Sequence, residues 1–385
     1  MLEQDEFMNL SKMNFDVSEE QAMILEQVDR ACKEFRPIED KCYLDHRIND
    51  QVRPFFAKAH LLGLPVSRKY GDGQGADMVT YVLAMERIGR EGTGLTTFFS
   101  VHMALGQMTI QRWGTEEQKA RFLPPATRGD SILAFGLTEP NAGSDPAALT
   151  TYFEEKGGKY YLTGQKMWIS LGSTAKYVLI FAYPKGKKES MCAFVVDTST
   201  VYLEKAEVPK EDMLGPPGKG MSVALSGLMN GRMSLAAGCV GVIQDCLDEA
   251  VRYAGVRVQH RKLIGKHQLI QRHIALMSMN LDAAKLLILR AAFVRQKYEE
   301  DPRNSEIRDA CDLAVTKAKY FAANAAFDAA NRTVQILGAN GYSLENRPCR
   351  HLADSRVTMI YEGANEILEQ KMALGSLGKD FQAYS

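Results

Sequence analysis

A bias of charge is the first thing this sequence lacks: Lys+Arg and Asp+Glu balance at 47 each over 385 residues. A chain that grips nucleic acid or an anionic membrane surface carries a basic excess or stripe, so neither is expected as a partner. No apolar run is long enough to span a bilayer, and no membrane span is expected. Closely spaced cysteines are missing too. The seven present (32, 42, 192, 239, 246, 311, 349) are scattered without a C-x-x-C, and their odd number leaves at least one without an intrachain partner. Reduced thiols in a cytoplasmic setting are expected. The stretch MLEQDEFMNL is acidic and has no apolar core. Neither a secretory signal nor an Arg-rich transit segment is expected there, a processed mitochondrial form being the alternative. Internal repeats, low-complexity segments and a G-x-S-x-G nucleophile elbow are absent.

What is present reads as a large globular chain, 45% hydrophobic and 24% charged, in three blocks. Residues 14–128 read as helical. In FDVSEEQAMILEQVDRACKEF, Ser18 and Gln21 stand at capping-box spacing, and Leu25, Val28, Cys32 and Phe35 recur at helical intervals. TEEQKARFLPPA continues the pattern and is expected to stop at Pro124–Pro125. Residues 129–225 change period: TTYFEEKGGKYYLTG is a hairpin signal around Gly157–Gly158, and KYVLIFAY and MCAFVVD are β-prone runs. Residues 226–385 return to long, Ala-rich helices, with small residues that let helices approach closely. The second of these is expected to end at Gly338 and Gly341. The fold class is therefore α+β: a helical N-terminal domain, a small central antiparallel β domain and a C-terminal four-helix bundle.

Several motifs carry no chemistry. GDGQGAD (71–77) does not join a buried strand to a helix, as a dinucleotide loop must, and reads as a surface turn. GPPGKGM lacks the spacing and hydroxyl of a phosphate-binding loop. His260, His267 and His273 do not share one helix face, so no metal site is expected there. AFGLTEPNAGSD (134–145) is richer in Thr, Asn, Gly, Ser and Asp. It suits either a plain loop or a close backbone approach to an anionic or heteroaromatic group at Gly143. GQKMWIS (164–170) sets one of only two tryptophans in a β hairpin. Trp168 there is either core or a cover for a flat cofactor. In MIYEGANEI, Glu362 stands after Met359, Ile360 and Tyr361 and before a glycine, either as a solvated turn charge or as something more.

Taken in order, FGLTEPNAGSD, GQKMWIS, VPKEDMLG, GR…AAG, YAGVRVQHRKLIGKHQLIQ, QILGANGY and IYEGANEI resemble the acyl-CoA dehydrogenase family, from about Phe15 to Leu377. The resemblance implies FAD as cofactor, an acyl-CoA thioester as substrate, an electron-transfer flavoprotein as electron acceptor, and a homo-oligomer, typically a tetramer. It also implies roles. Phe135, Leu137 and Thr138 would contact the flavin, with Gly143 and Ser144 beside them and Ser144 shared with the CoA side. Trp168 and Ser170 would stand against the ring. Arg257 and Gln268 would reach the pyrophosphate and adenosine of a cofactor held by a neighbouring subunit, with Gln335, Gly338 and Ala339 closing on the same end. Ala364, Asn365 and Glu366 would also line the cofactor. Arg232 would contact CoA, with Tyr361 and Gly363 beside the thioester. Glu362 matches the base that takes the substrate α-proton, which needs an apolar site to raise its pKa toward working pH.

The resemblance leaves three departures. Met229 stands where the family has Asp. His260 and Arg261 replace its Phe-Gly, at a point implied to touch FAD. Between VVD and VYLEKAEVP the family carries about two more strands with turns. The β domain is thus expected to be trimmed, with Met and Val around MCAFVVD meeting solvent unless another segment covers them. Gly231, where some relatives carry their base, cannot act. The residues before SVH, Thr96 to Phe98, lack the arginine of glutaryl-type members, which disfavours a carboxylate-tailed substrate. An oxidase that uses O2 and a scaffold that keeps the fold without the chemistry are the alternatives.

Overall fold

The computed structural model describes residues 16–46, 48, 50–200 and 204–381. Six helices come first: α1 (Glu19–Leu44), α2 (Val52–Lys58), α3 (Met78–Glu91), α4 (Thr93–Phe99), α5 (Met108–Trp113) and α6 (Glu116–Thr127), with a π-helical stretch Ser100–Gln107 between α4 and α5. Strands β1 (Leu133–Gly136), β2 (Tyr152–Lys156), β3 (Lys159–Thr163), β4 (Tyr177–Pro184), β5 (Cys192–Asp197), β6 (Glu204–Pro209) and β7 (Met213–Leu214) follow. Then come α7 (Gly220–Ala254), the small hairpin β8 (Val258–Gln259) and β9 (Lys262–Leu263), α8 (Gln268–Glu300), α9 (Ser305–Leu337), α10 (Ala339–Tyr342), α11 (Arg347–Thr358) and α12 (Asn365–Leu377). By contacts the chain divides into two units. One gathers the described parts of Met1–Asp50, Asp77–Thr96 and Arg232–Ser385; the other gathers Gln51–Ala76 and Thr97–Gly231.

The first unit is helical. The capping box that opens α1 forms as the sequence predicts: Ser18 Oγ accepts from Gln21 N at 3.2 Å, and Gln21 Oε1 accepts from Ser18 N at 2.9 Å. Leu25, Val28, Cys32 and Phe35 face the core. At 33 residues each, α8 and α9 run about 50 Å and pack along one another. Gly338, at φ +62° and ψ −134°, ends α9 in a conformation that glycine alone adopts readily. The crossing of α3 and α7 is unusually close. A Cβ on Gly241 would lie 2.0 Å from Glu86 O, and one on Gly89 would lie 2.2 Å from Gly238 O. Gly241→Ala must push these helices apart. We expect a loss of about 1–3 kcal/mol or more, read as a lower midpoint of chemical unfolding; an unchanged midpoint would show the crossing to be compliant.

The second unit holds the sheet, in the order β6-β3-β2-β4-β5-β7 with β1 beside β4. Gly157 and Gly158, at φ +58° and +79°, close the β2–β3 hairpin in the left-handed pair that a two-residue turn requires. The sheet is antiparallel in its hairpins but parallel at β1–β4 and β2–β4, because the chain reaches β4 through loops rather than tight turns. MCAFVVD is not left open to solvent. Cys192 to Val196 are buried, flanked by β4 and β7, and Phe194 packs edge-on against Phe153 and Tyr160 at 5.1 and 5.4 Å. The chain leaves β5 by a 3-10 turn, Thr198–Thr200, and β6 then pairs with β3. Residues 201–203, inside the shortened stretch, lie outside the described residues.

One further expectation is corrected in this unit. Pro124 and Pro125 do not stop α6, which runs on to Thr127. They lack N–H donors, but their carbonyls accept from Arg128 N and Ser131 N, so the last turn closes around them. GDGQGAD is a turn, yet not a loose one: Gly71 sits at φ +58°, and a Cβ there would meet Thr127 Oγ1 at 2.5 Å.

Candidate active site

In the first unit, α11 and α12 are joined by a turn that presents Glu362. Helix α11 ends as the N–H groups of Ile360 and Tyr361 both donate to Val357 O, and Asn365 N closes back on Met359 O at 3.0 Å. Between these bonds Glu362 and Gly363 both adopt left-handed backbone, at φ +57° and +99°. That is ordinary for the glycine and strained for a glutamate. The turn is held by two buried cations. From α7, Arg232 Nε donates to Glu362 O at 2.7 Å. From α9, Lys319 Nζ donates to Gly363 O at 2.8 Å and to Asn365 Oδ1 at 3.1 Å. Among the described residues, the N–H groups of Glu362, Gly363 and Ala364 find no protein acceptor.

Glu362 is not a solvated turn charge. It is 9% exposed, and its Oε2 is buried without a hydrogen-bond partner among the described residues. Burial pushes its pKa up to about 7, against the opposing pull of Arg232 and Lys319. A carboxylate that is buried, unsatisfied and poised near neutrality is suited to taking a proton from a group outside the protein. Tyr81 lies near it on α3, fully buried, with its hydroxyl hydrogen-bonded to Ser234 Oγ at 3.0 Å.

The second unit presents a different surface. Phe135 and Leu137 are largely buried. Thr138 O accepts from Met167 N at 2.9 Å, which brings the LTEP segment against GQKMWIS. Trp168 is neither core nor part of a β hairpin. It lies in the loop between β3 and β4 at φ +60° and is 81% exposed, so a large flat side chain stands uncovered on a strained residue. Ser170, two residues on, is exposed, and so is Ser144 in the earlier loop, where a Cβ on Gly143 would meet nothing within 4 Å among the described residues.

Behind this loop lies a buried ion pair that the sequence reading missed. Glu139 and Lys166 meet at 2.8 Å with side chains 1% and 5% exposed. Glu139 also accepts from the N–H groups and hydroxyls of both Thr150 and Thr151. Lys166 Nζ donates to Leu137 O and Phe181 O as well. Burial alone would raise the Glu139 pKa, but Lys166 and the threonine donors hold it down to about 2. The pair pins the candidate loop to the sheet. Lys319 was missed in the same way, although a lysine on the buried stripe Val315, Thr316, Ala322, Ala323 and Ala326 of α9 is a readable signal.

The remaining candidates lie in the first unit. Arg257 and Gln268 are exposed on either side of the β8–β9 hairpin, whose tip residues His260 and Arg261 are left-handed at φ +50° and +62°. Gln335, Gly338 and Ala339 are exposed where α9 gives way to α10. Ala364, Asn365 and Glu366 start α12 beside Glu362, Asn365 with its Oδ1 on Lys319. Arg232 is 7% exposed, and its guanidinium is already turned to the Glu362 carbonyl. Tyr361 and Gly363 flank Glu362 directly.

Comparison with known proteins covers nearly the whole described chain. Residues 18–130 match the acyl-CoA dehydrogenase N-terminal domain, 134–216 the middle domain and 218–377 the C-terminal domain. An acyl-CoA dehydrogenase of Bacillus subtilis (strain 168) is 35% identical over 375 residues, 91% of this chain and 96% of that protein. A chain solved in work on the electron transferring flavoprotein of Acidaminococcus fermentans superposes with a TM-score of 0.89 at 30% identity, covering 95% of this chain and all of that one. An acyl-CoA dehydrogenase of Bacillus anthracis, solved in complex with FAD, gives 0.87 at 28% identity, covering 95% of this chain and 68% of that one.

Proposed function

Because the chain belongs to the acyl-CoA dehydrogenase family, we propose that it desaturates an acyl-CoA thioester between Cα and Cβ to the trans-2-enoyl-CoA, with Glu362 as the base. The observation that carries this reading is the Glu362 carboxylate: buried, without a partner at Oε2 among the described residues, and with its pKa raised to about 7. The thioester must be polarised before its α-proton is acidic enough to leave. The unpaired Glu362 N–H suits that task, since a fixed donor in a site without water stabilises the developing enolate oxygen. Arg232 and Lys319 hold the turn still while this happens.

The residues present fit FAD. Uncovered Trp168 and open Gly143 offer a flat face and a close backbone approach, with Phe135, Leu137, Thr138 and Ser170 beside them. Exposed Arg257 and Gln268, with Gln335, Gly338 and Ala339, suit the pyrophosphate and adenosine of a cofactor shared between subunits. Bound there, FAD supplies the hydride acceptor that the protein side chains lack. An electron-transfer flavoprotein is then the electron acceptor. Ser144, Arg232, Tyr361 and Gly363 are the proposed substrate contacts. Exposed Leu269, Met279 and Leu286 on α8, at 74%, 60% and 54%, suit burial in a homotetramer. No helix among the described residues is long and apolar enough to cross a membrane, and all seven cysteines are free thiols, which suits a cytoplasmic site.

The test is colour. The purified protein should be yellow, and an acyl-CoA from a panel of chain lengths should bleach it without air. A colourless protein, or one that no acyl-CoA bleaches, overturns the reading. Rapid recolouring by air alone would replace the flavoprotein acceptor with O2.

A further inference from the structure

Lys319 is fully buried, yet among the described residues its ammonium forms no ion pair. Its two hydrogen bonds go to neutral acceptors, the Gly363 carbonyl and the Asn365 amide oxygen. Folding alone gives little reason for this arrangement. A methionine fills a similar volume without desolvating a charge, and in some proteins buried charged groups are kept for a role other than stability.

The geometry shows what depends on it. Arg232 and Lys319 come from different helices and take consecutive carbonyls, those of Glu362 and Gly363. In a trans peptide the C=O and N–H point opposite ways. Drawing these two carbonyls toward the cations therefore aims the N–H groups of Gly363 and Ala364 the other way and fixes the backbone on both sides of Gly363. The turn is left-handed at both residues, and such a conformation persists only where its surroundings over-determine it. Arg232 of α7 and Lys319 of α9 act on Glu362 directly, and Tyr81 of α3 lies near it; Cys239 of α7 and Glu366 of α12 face Lys319, while Asp312 of α9 pairs with Arg232 and with Lys371 of α12.

We infer that Lys319 is a positioning residue for the base: it clamps the Glu362–Gly363 turn against α9 and sets a cation beside the base. This rests on reading Glu362 as the base, but one arm of its test does not. Lys319→Met removes the clamp and the charge; Lys319→Gln keeps a donor without the charge and serves if the first variant folds poorly.

Hydrogen exchange of the segment 359–367 should quicken about tenfold or more in Lys319→Met and less in Lys319→Gln, while β4 and β5 exchange as in wild type. In the second arm, the rate of anaerobic flavin bleaching by acyl-CoA is followed against pH. Loss of a neighbouring cation favours protonated Glu362, so the acid limb should move to higher pH by about half a unit or more in both variants. A merely structural lysine would not move it. Unchanged exchange at 359–367 overturns the inference whether or not the chain dehydrogenates anything. Quickened exchange with an unmoved acid limb in a bleaching-competent enzyme overturns the claimed effect of the cation on the base.

Discussion

Glu362→Gln should keep the flavin spectrum and lose α-proton abstraction. The amide is nearly isosteric and can still occupy the turn, but it cannot accept the proton. The rate of flavin reduction by a good acyl-CoA in stopped flow should fall by about 10²–10⁴, the range for removing a general base. Near-normal reduction would place the base elsewhere. In the wild-type enzyme the rate should rise as pH passes through about 7 and level off above it, because only the carboxylate form works. The stability linkage has the opposite sense. Burial raises the folded-state pKa of this acid above its unfolded value, so the folded state holds the proton more tightly. The stability from this group is fully present below the unfolded pKa and is lost as pH rises through about 7. Glu362→Gln should therefore be at least as stable as wild type at pH 8, a combination that a purely structural glutamate would not give.

Glu139→Ala should have the largest effect on stability. It leaves Lys166 buried without its carboxylate, and the donors of Thr150 and Thr151 without their acceptor. Breaking one side of a buried pair typically costs about 3–5 kcal/mol, and here several hydrogen bonds go with it. The loss should appear as a lower denaturant midpoint, with faster exchange in the 137–143 loop and weaker flavin retention. A change below about 1 kcal/mol would show that water replaces the carboxylate. The folded-state pKa of Glu139 is depressed to about 2, so its contribution is present above the ordinary glutamate pKa. It is lost as pH falls from there toward 2, and the variant should lack that part of the acid transition.

Much of this was legible in the sequence, for reasons that differ by residue. The face of α1 and its capping box follow from local spacing, which needs no tertiary partner to be read. The family match rested on ordered motifs, and Glu362 stood out as a carboxylate in an apolar context. What escaped the sequence depended on contacts between distant segments. Lys166 lies 27 residues from Glu139, and nothing local announces their pairing. The exposure of Trp168 follows from a left-handed backbone that a β reading of the hairpin could not foresee. The prolines of α6 were read as a stop because they cannot donate the i→i−4 bonds of a last turn; the helix still runs two residues further, and the Pro124 and Pro125 carbonyls accept from Arg128 N and Ser131 N. The shortened β domain would expose MCAFVVD unless another segment covered it, and the sheet covers it with β7 and with rings contributed from β2 and β3.

The left-handed turn at Glu362 also bears on how the position drifts. Glycine or asparagine would sit there with less backbone strain, and either would remove a buried carboxylate oxygen that has no partner among the described residues. Ordinary mutation pressure on the fold therefore points away from glutamate. A lineage released from the chemistry would be expected to lose this residue early and to gain stability in doing so. An intact glutamate in such a backbone is thus a mark of selection for what it does, independent of any motif around it.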